Sequence, residues 1–474
     1  MCFFFRALAL AVLLLGLWAP SRRAAFSLGF PPGVTLYDPN PAHLWNRLHA
    51  ALYIREDIPS TSQVPDALDP PLWPNTRYLL SEPSHQRVTK ILDEFLQTRG
   101  ERLIQDPLRR AMLERDLWSV FDWTAQRAPE RPGEPAYEKE LQELQSRLAE
   151  ALRRLALSAQ QIRALPENYR QAVASGQFAK QYDPQHRDRA FLPPDLFDAH
   201  SSWVQLAAPG AGITPEPAAA AHAEQFSRSS FLIFMRLPEG RKATFDYLHA
   251  LWDFPRPWIP RPDVGEDVRE QTAENPRLPQ FPVGTQFALV RQLLLFDDHG
   301  TLQSAPITES VQIRVYRSVT PNDAADSGSA QEFLLSGQDF YEIVLSRRLL
   351  FAGKAGGLRE TGRKEKTFAL LNSFGADEGT SAKQFAKLDD YPATLESCAV
   401  CHRGGGINSV NSRRQLLKPN WLIHDYPDPP AIAPARTNTL PAQWWEFDRT
   451  ASSKQSRFDW GLLSGYWKAD PSER

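Results

Sequence analysis

TQFALVRQLLLFDDHGTLQSAPITESVQIRVYRSV, running from Thr285 to Val319, is the stretch that decides the fold. Eight of its first twelve residues are apolar and suited to a strand, and they end at Asp297-Asp298-His299-Gly300, a run of turn residues. Beyond the turn Val311, Ile313 and Val315 alternate with polar neighbours, the two-residue period of a strand with one buried face. DFYEIVLSRRLLF, from Asp339 to Phe351, repeats the strand signal. The pattern predicts an antiparallel sheet of at least three strands within residues 283–370, interrupted by a polar loop at NDAADSGSAQ (322–331).

Upstream the period is that of helices. VTKILDEFLQTRGERLIQDPLRRAMLERDLWSVFDW, from Val88 to Trp123, predicts a helical pair, the second helix starting with Asp106 as N-cap and Pro107 as first helical residue. In YEKELQELQSRLAEALRRLALSAQQIRAL, Leu141, Leu148, Leu155 and Ile162 recur every seven residues, and Leu144, Ala151, Ser158 and Leu165 follow three positions after each. This predicts one long amphipathic helix packed on residues 88–124 within the same chain, since small Ala151 and Ser158 suit close helix packing. The expected class is α+β: a mainly helical region at 26–205, a Pro/Ala-rich connector with a short helix near TFDYLHALWDF at 206–282, the antiparallel β region at 283–370, and a loop-rich helical region at 371–474. The proline-dense passage from PRPWIPRPDVG to NPRLPQFPVG can be neither regular helix nor central strand. Trp421, Trp444, Trp445, Trp460 and Trp467 are the expected anchors of the C-terminal region.

The 474 residues carry a formal charge of -2, which gives none of the basic field that nucleic acid or anionic lipid would require. At the N-terminus, a short segment with Arg6 leads into an apolar run from Ala7 to Ala19, followed by Pro20, Arg22, Arg23 and the small residues Ala24 and Ala25. This reads as a secretory signal peptide over residues 1–25; the run is shorter than the roughly 20 residues that span a bilayer, which makes an uncleaved anchor the weaker alternative. A periplasmic or secreted location follows, with no stable membrane span after removal of the signal. Cys2 precedes the apolar run and is discarded with it, so two of the 3 cysteines remain in the mature chain.

Those two stand in CAVCHRGGG, Cys398 to Gly406. Cys398-Ala399-Val400-Cys401-His402 resembles the covalent haem-attachment motif of c-type cytochromes. The resemblance covers these five residues and implies one haem c, with Cys398 and Cys401 as thioether links and His402 as the proximal axial ligand of the iron. A local disulfide, a thioredoxin-like redox pair and a zinc site are the alternatives; a zinc site lacks a second cysteine pair, and a redox pair lacks its βαβ setting. Export favours haem c, which is attached outside the cytoplasm.

The second axial ligand is open. No methionine follows His402, and the two mature methionines, Met112 and Met235, sit in apolar patterns expected of a core. His424 in LIHDYPDPP is the candidate distal ligand, with His249 and His299 as further ones, each weighed against an ordinary surface or turn histidine. Arg403, Arg413 and Arg414 are near enough in sequence to pair with haem propionates. The expected function is electron transfer by an exported mono-haem protein with a redox partner protein; the alternative is a haem enzyme or a gas- or peroxide-binding protein with an open sixth iron position. No HExxH, GxSxG, GxGxxG or EF-hand pattern points elsewhere.

Overall fold

The computed structural model describes residues 35–54, 79–125, 137–207, 229–252, 254, 258–260, 272–275, 277–319, 337–362, 406–410, 433–434 and 458–468. The helical half comprises α1 (Leu44–Tyr53), α2 (Ser84–Gln97), α3 (Pro107–Ala125), α4 (Glu138–Leu155), α5 (Ala159–Arg163) and α6 (Asn168–Ala174). The Asp106 carboxylate accepts from Leu108 N at 3.0 Å, so Asp106-Pro107 does start α3. Leu144, Leu148, Ala151, Leu152 and Leu155 form the buried stripe of α4, which packs on α2 and α3 as its periodicity predicts.

The heptad pattern overstates the length of that helix. α4 stops at Leu155 because the next backbone groups are used elsewhere: the Leu157 carbonyl accepts from Asp298 N at 2.9 Å, tying the chain to the hairpin turn of the sheet. Ser158 and Gln161 then form a capping box, and α5 begins afresh.

The strands are β1 (Val204–Ala207), β2 (Ser229–Arg236), β3 (Trp258–Pro260), β4 (Thr272–Glu274), β5 (Gln286–Phe296), β6 (Leu302–Tyr316), β7 (Gln338–Leu345), β8 (Leu358–Glu360) and β9 (Ala433–Pro434). The main sheet has the order β8-β7-β6-β5-β2-β1-β9, every pair antiparallel, with β3 and β4 forming a separate ribbon. Four short or medium helices complete the α+β fold: α7 (Arg241–Trp252), α8 (Arg347–Phe351), α9 (Ile407–Val410) and α10 (Phe458–Lys468). The sheet reaches beyond the expected strand region, since β1 and β2 come from segments assigned to the helical region and the connector. RRLLF, expected to continue a strand, is α8, started by the Ser346 hydroxyl accepting from Leu349 N at 3.2 Å.

The sheet divides two cores. On one side Leu232 and Phe234 of β2, Ala288 and Val290 of β5, Val311, Ile313 and Val315 of β6, and Tyr341 and Ile343 of β7 pack with the helices α1–α6. On the other side Ile233, Met235, Phe287 and Tyr316 pack with Tyr247 and Leu248 of α7, with Leu278 and Phe281, and with Ile407 of α9. Helix α10 returns to the bundle, where Trp467 Nε1 donates to the Ala149 carbonyl at 2.8 Å and Leu463 is buried. Among the described residues no helix is long and apolar enough to cross a membrane.

Candidate functional site

Cys398, Cys401, His402 and His424 lie outside the described residues, as do the N-terminal segment 1–25 and Arg403, Arg413 and Arg414. At Gly406, four residues after His402 in sequence, the chain is firmly held. Gly406 has φ +56°, and a Cβ at this position would lie 2.0 Å from Gln280 Oε1, so both conformation and space call for glycine. Gln280 Oε1 accepts from Ile407 N at 2.9 Å, and the Ile407 side chain is fully buried in the second core. Ser409 Oγ donates to the Gly406 carbonyl at 2.8 Å and lies 2.6 Å from the Tyr316 hydroxyl, which therefore donates to it. Burial raises the Tyr316 phenol and keeps that proton in place.

The last grip comes from Arg314, whose Nη1 donates to the Ser409 carbonyl at 3.0 Å. In the register of the sheet Arg314 stands between Phe287 on β5 and Phe340 on β7. Its guanidinium carbon is 5.8 Å from the ring centroids of Phe287, Tyr316 and Phe340, a cation among three aromatic faces. The next row on the same face is Gln312 opposite Glu342, whose carboxylate accepts from Gln312 Nε2 at 3.2 Å. Among the described residues no carboxylate forms an ion pair with Arg314.

The other sequence-based ligand candidates separate cleanly. Met112 is buried in the bundle core and Met235 in the second core, as their apolar settings predict. His299 sits in the β5–β6 turn, exposed, with Nδ1 3.0 Å from the Asp298 carboxylate, a turn role. His249 lies on α7. Among the described residues no three His, Cys, Asp or Glu side chains are placed to hold a metal ion.

Sequence reading missed a second polar assembly, inside the bundle core. Glu114, Arg115 and Asp116 of α3 are all fully buried. Arg115 Nε donates to Glu309 Oε1 on β6 at 2.9 Å; Asp116 accepts from Tyr37 Oη at 2.5 Å and from Arg347 Nη2, and lies 3.0 Å from His49 Nδ1. Burial, and next the Asp116 charge, hold the Tyr37 phenol well above its ordinary range. These links staple α3 to the sheet and to α8. Glu114 is different: Oε1 accepts from Phe296 N at 2.8 Å, no described group bonds to Oε2, and burial pushes the carboxyl up to about 8. A signal was present in the sequence. Met112, Leu113, Leu117, Trp118, Val120 and Phe121 surround α3 with apolar side chains and leave the ERD triplet no solvent face.

Comparison with protein-family models, with curated proteins and with solved structures finds no match to this chain.

Proposed function

We propose that the protein is an exported mono-haem c-type protein, its haem held covalently by Cys398 and Cys401 with His402 as axial ligand, and that it transfers electrons to or from a partner protein. The observation that carries this reading is the CxxCH spacing of the two cysteines that remain after an N-terminal segment with the pattern of a secretory signal. Haem supplies one-electron chemistry when bound.

What the chain itself contributes can be derived from the segment that follows the motif. His402 stands four residues before Gly406, and four residues of extended chain span at most about 14 Å. Gln280, Arg314 and Tyr316 hold Gly406–Ser409, the segment that follows the motif in sequence. Gly406 permits the tight turn by which the chain enters this grip.

A second reading is favoured by the methionines. With Met112 and Met235 both packed inside cores, the second axial position falls to a histidine or stays open, and an open position makes the site one that binds a small ligand such as oxygen or peroxide. Carbon monoxide added to the reduced protein separates the two: a six-coordinate carrier resists it, and an open site takes it up with a changed absorption spectrum. Both rest on covalent haem, tested by haem staining of a denaturing gel of protein made in a host with haem c maturation. Colour migrating with the chain is expected, and an unstained chain rejects both.

A further inference from the structure

Glu114 and Arg110 stand one turn apart on α3, and each buries a polar atom to which no described group bonds: Oε2 of Glu114, an acceptor once ionised, and Nε of Arg110, a donor. Glu114 Oε1 is occupied, accepting from Phe296 N at the end of β5. Arg110 Nη2 donates to the Arg154 and Leu155 carbonyls at 3.2 and 3.0 Å, and so caps the C-terminus of α4. Two residues further on, the Leu157 carbonyl holds Asp298 N of the hairpin turn. Arg110, Glu114, the end of β5, the turn and the end of α4 therefore close a ring.

We infer that this ring is a proton-driven switch: when Glu114 gives its proton to a base in solution, the Arg110 guanidinium moves from the Arg154 and Leu155 carbonyls to the new carboxylate and uncaps α4. A buried carboxylate without a counter-ion is costlier than two lost bonds to carbonyls, and Arg110 is within one helical turn of it. Other charged groups do not take its place. Asp297 in the turn repels the carboxylate, and Glu101 in the 3-10 turn Gly100–Arg102 acts on Arg110. The Arg154 side chain on α4 is turned to Glu150 and the Leu96 carbonyl, α1 turns His49 and Tyr53 to Asp116, and Arg163 of α5 and Lys468 of α10 are exposed. Burial pushes the Glu114 carboxyl up to about 8, so the capped state holds below that pH and the uncapped state above it.

The test is hydrogen exchange of the full chain at pH 6.5 and 9.5, corrected for intrinsic exchange and read by mass spectrometry. In the wild type, protection of the peptide around Leu152–Leu157 should fall on the order of tenfold at the higher pH, while β6 keeps its protection. Glu114→Gln cannot ionise and should keep this peptide protected at both pH values. Arg110→Met lacks the cap and should leave it weakly protected at both. A wild-type fall matched by Glu114→Gln, or a pH response retained in Arg110→Met, overturns the inference. Should neither variant fold, the wild type decides alone: unchanged protection at Leu152–Leu157, or a loss shared equally by β6, which reports global opening, overturns it.

Discussion

Glu114→Gln should convert a pH-dependent stability into a flat one. The wild-type carboxyl is fully buried, with its Oε1 accepting from Phe296 N, and burial raises it from 4.5 to about 8. The folded state therefore holds this proton more tightly than the unfolded chain does. Its contribution is fully present below pH 4.5 and is lost as the pH rises through about 8. Each pH unit in that window is worth about 1.4 kcal/mol, so the group alone costs on the order of 5 kcal/mol between its ends. Glutamine keeps an acceptor for Phe296 N and cannot ionise; the buried NH2 it introduces costs roughly 1–3 kcal/mol at every pH. The offset is constant, so the slope is diagnostic. Urea melts of both proteins at pH 5, 6.5 and 8 should show the variant gaining on wild type by about 1.4 kcal/mol per pH unit. A difference that stays flat from pH 5 to 8 refutes the placement of a protonated carboxyl at this point of the core.

Arg115→Met should destabilise the chain by about 3–5 kcal/mol in the same melts, since it leaves Glu309 charged and buried; adding Glu309→Gln should recover part of that loss. Gly406→Ala places a Cβ 2.0 Å from Gln280 Oε1 at φ +56° and should cost roughly 2 kcal/mol, with lower haem loading per chain at equal expression. His424→Ala should change the reduced absorption spectrum and admit carbon monoxide if His424 is the distal ligand; an unchanged spectrum removes it from that role.

Much of the fold was legible where local pattern and tertiary packing agree. The Thr285–Val319 hairpin announces itself through the alternation of Val311, Ile313 and Val315 around Asp297–Gly300, and each of these valines and Ile313 does pack into the bundle core. β2 was illegible because SSFLIFMR does not alternate: as an interior strand it sends Leu232 and Phe234 to one core and Ile233 and Met235 to the other, so both faces are apolar. The long heptad helix failed at Ala156–Ser158, where pairing of Leu157 with the Asp297–Asp298 turn overrides helical periodicity, although the Ser158/Gln161 capping box marked a possible restart. The motif Cys398–His402 is readable because its chemistry fixes a short local spacing. Its anchors are not, since Gln280, Arg314 and Tyr316 stand 93 to 127 residues from their partners at Ile407 and Ser409, and only the register of β6 and the loop before β5 brings them together.

The most direct test is the intact mass of the purified mature chain, made in a host that exports it and matures haem c, for wild type and for the Cys398→Ser, Cys401→Ser double variant. Covalent haem c predicts that the denatured wild-type chain carries the added mass of one haem and that the double variant carries none. A wild-type chain at its bare polypeptide mass, or short of it only by the two hydrogens of a disulfide, contradicts the proposed function.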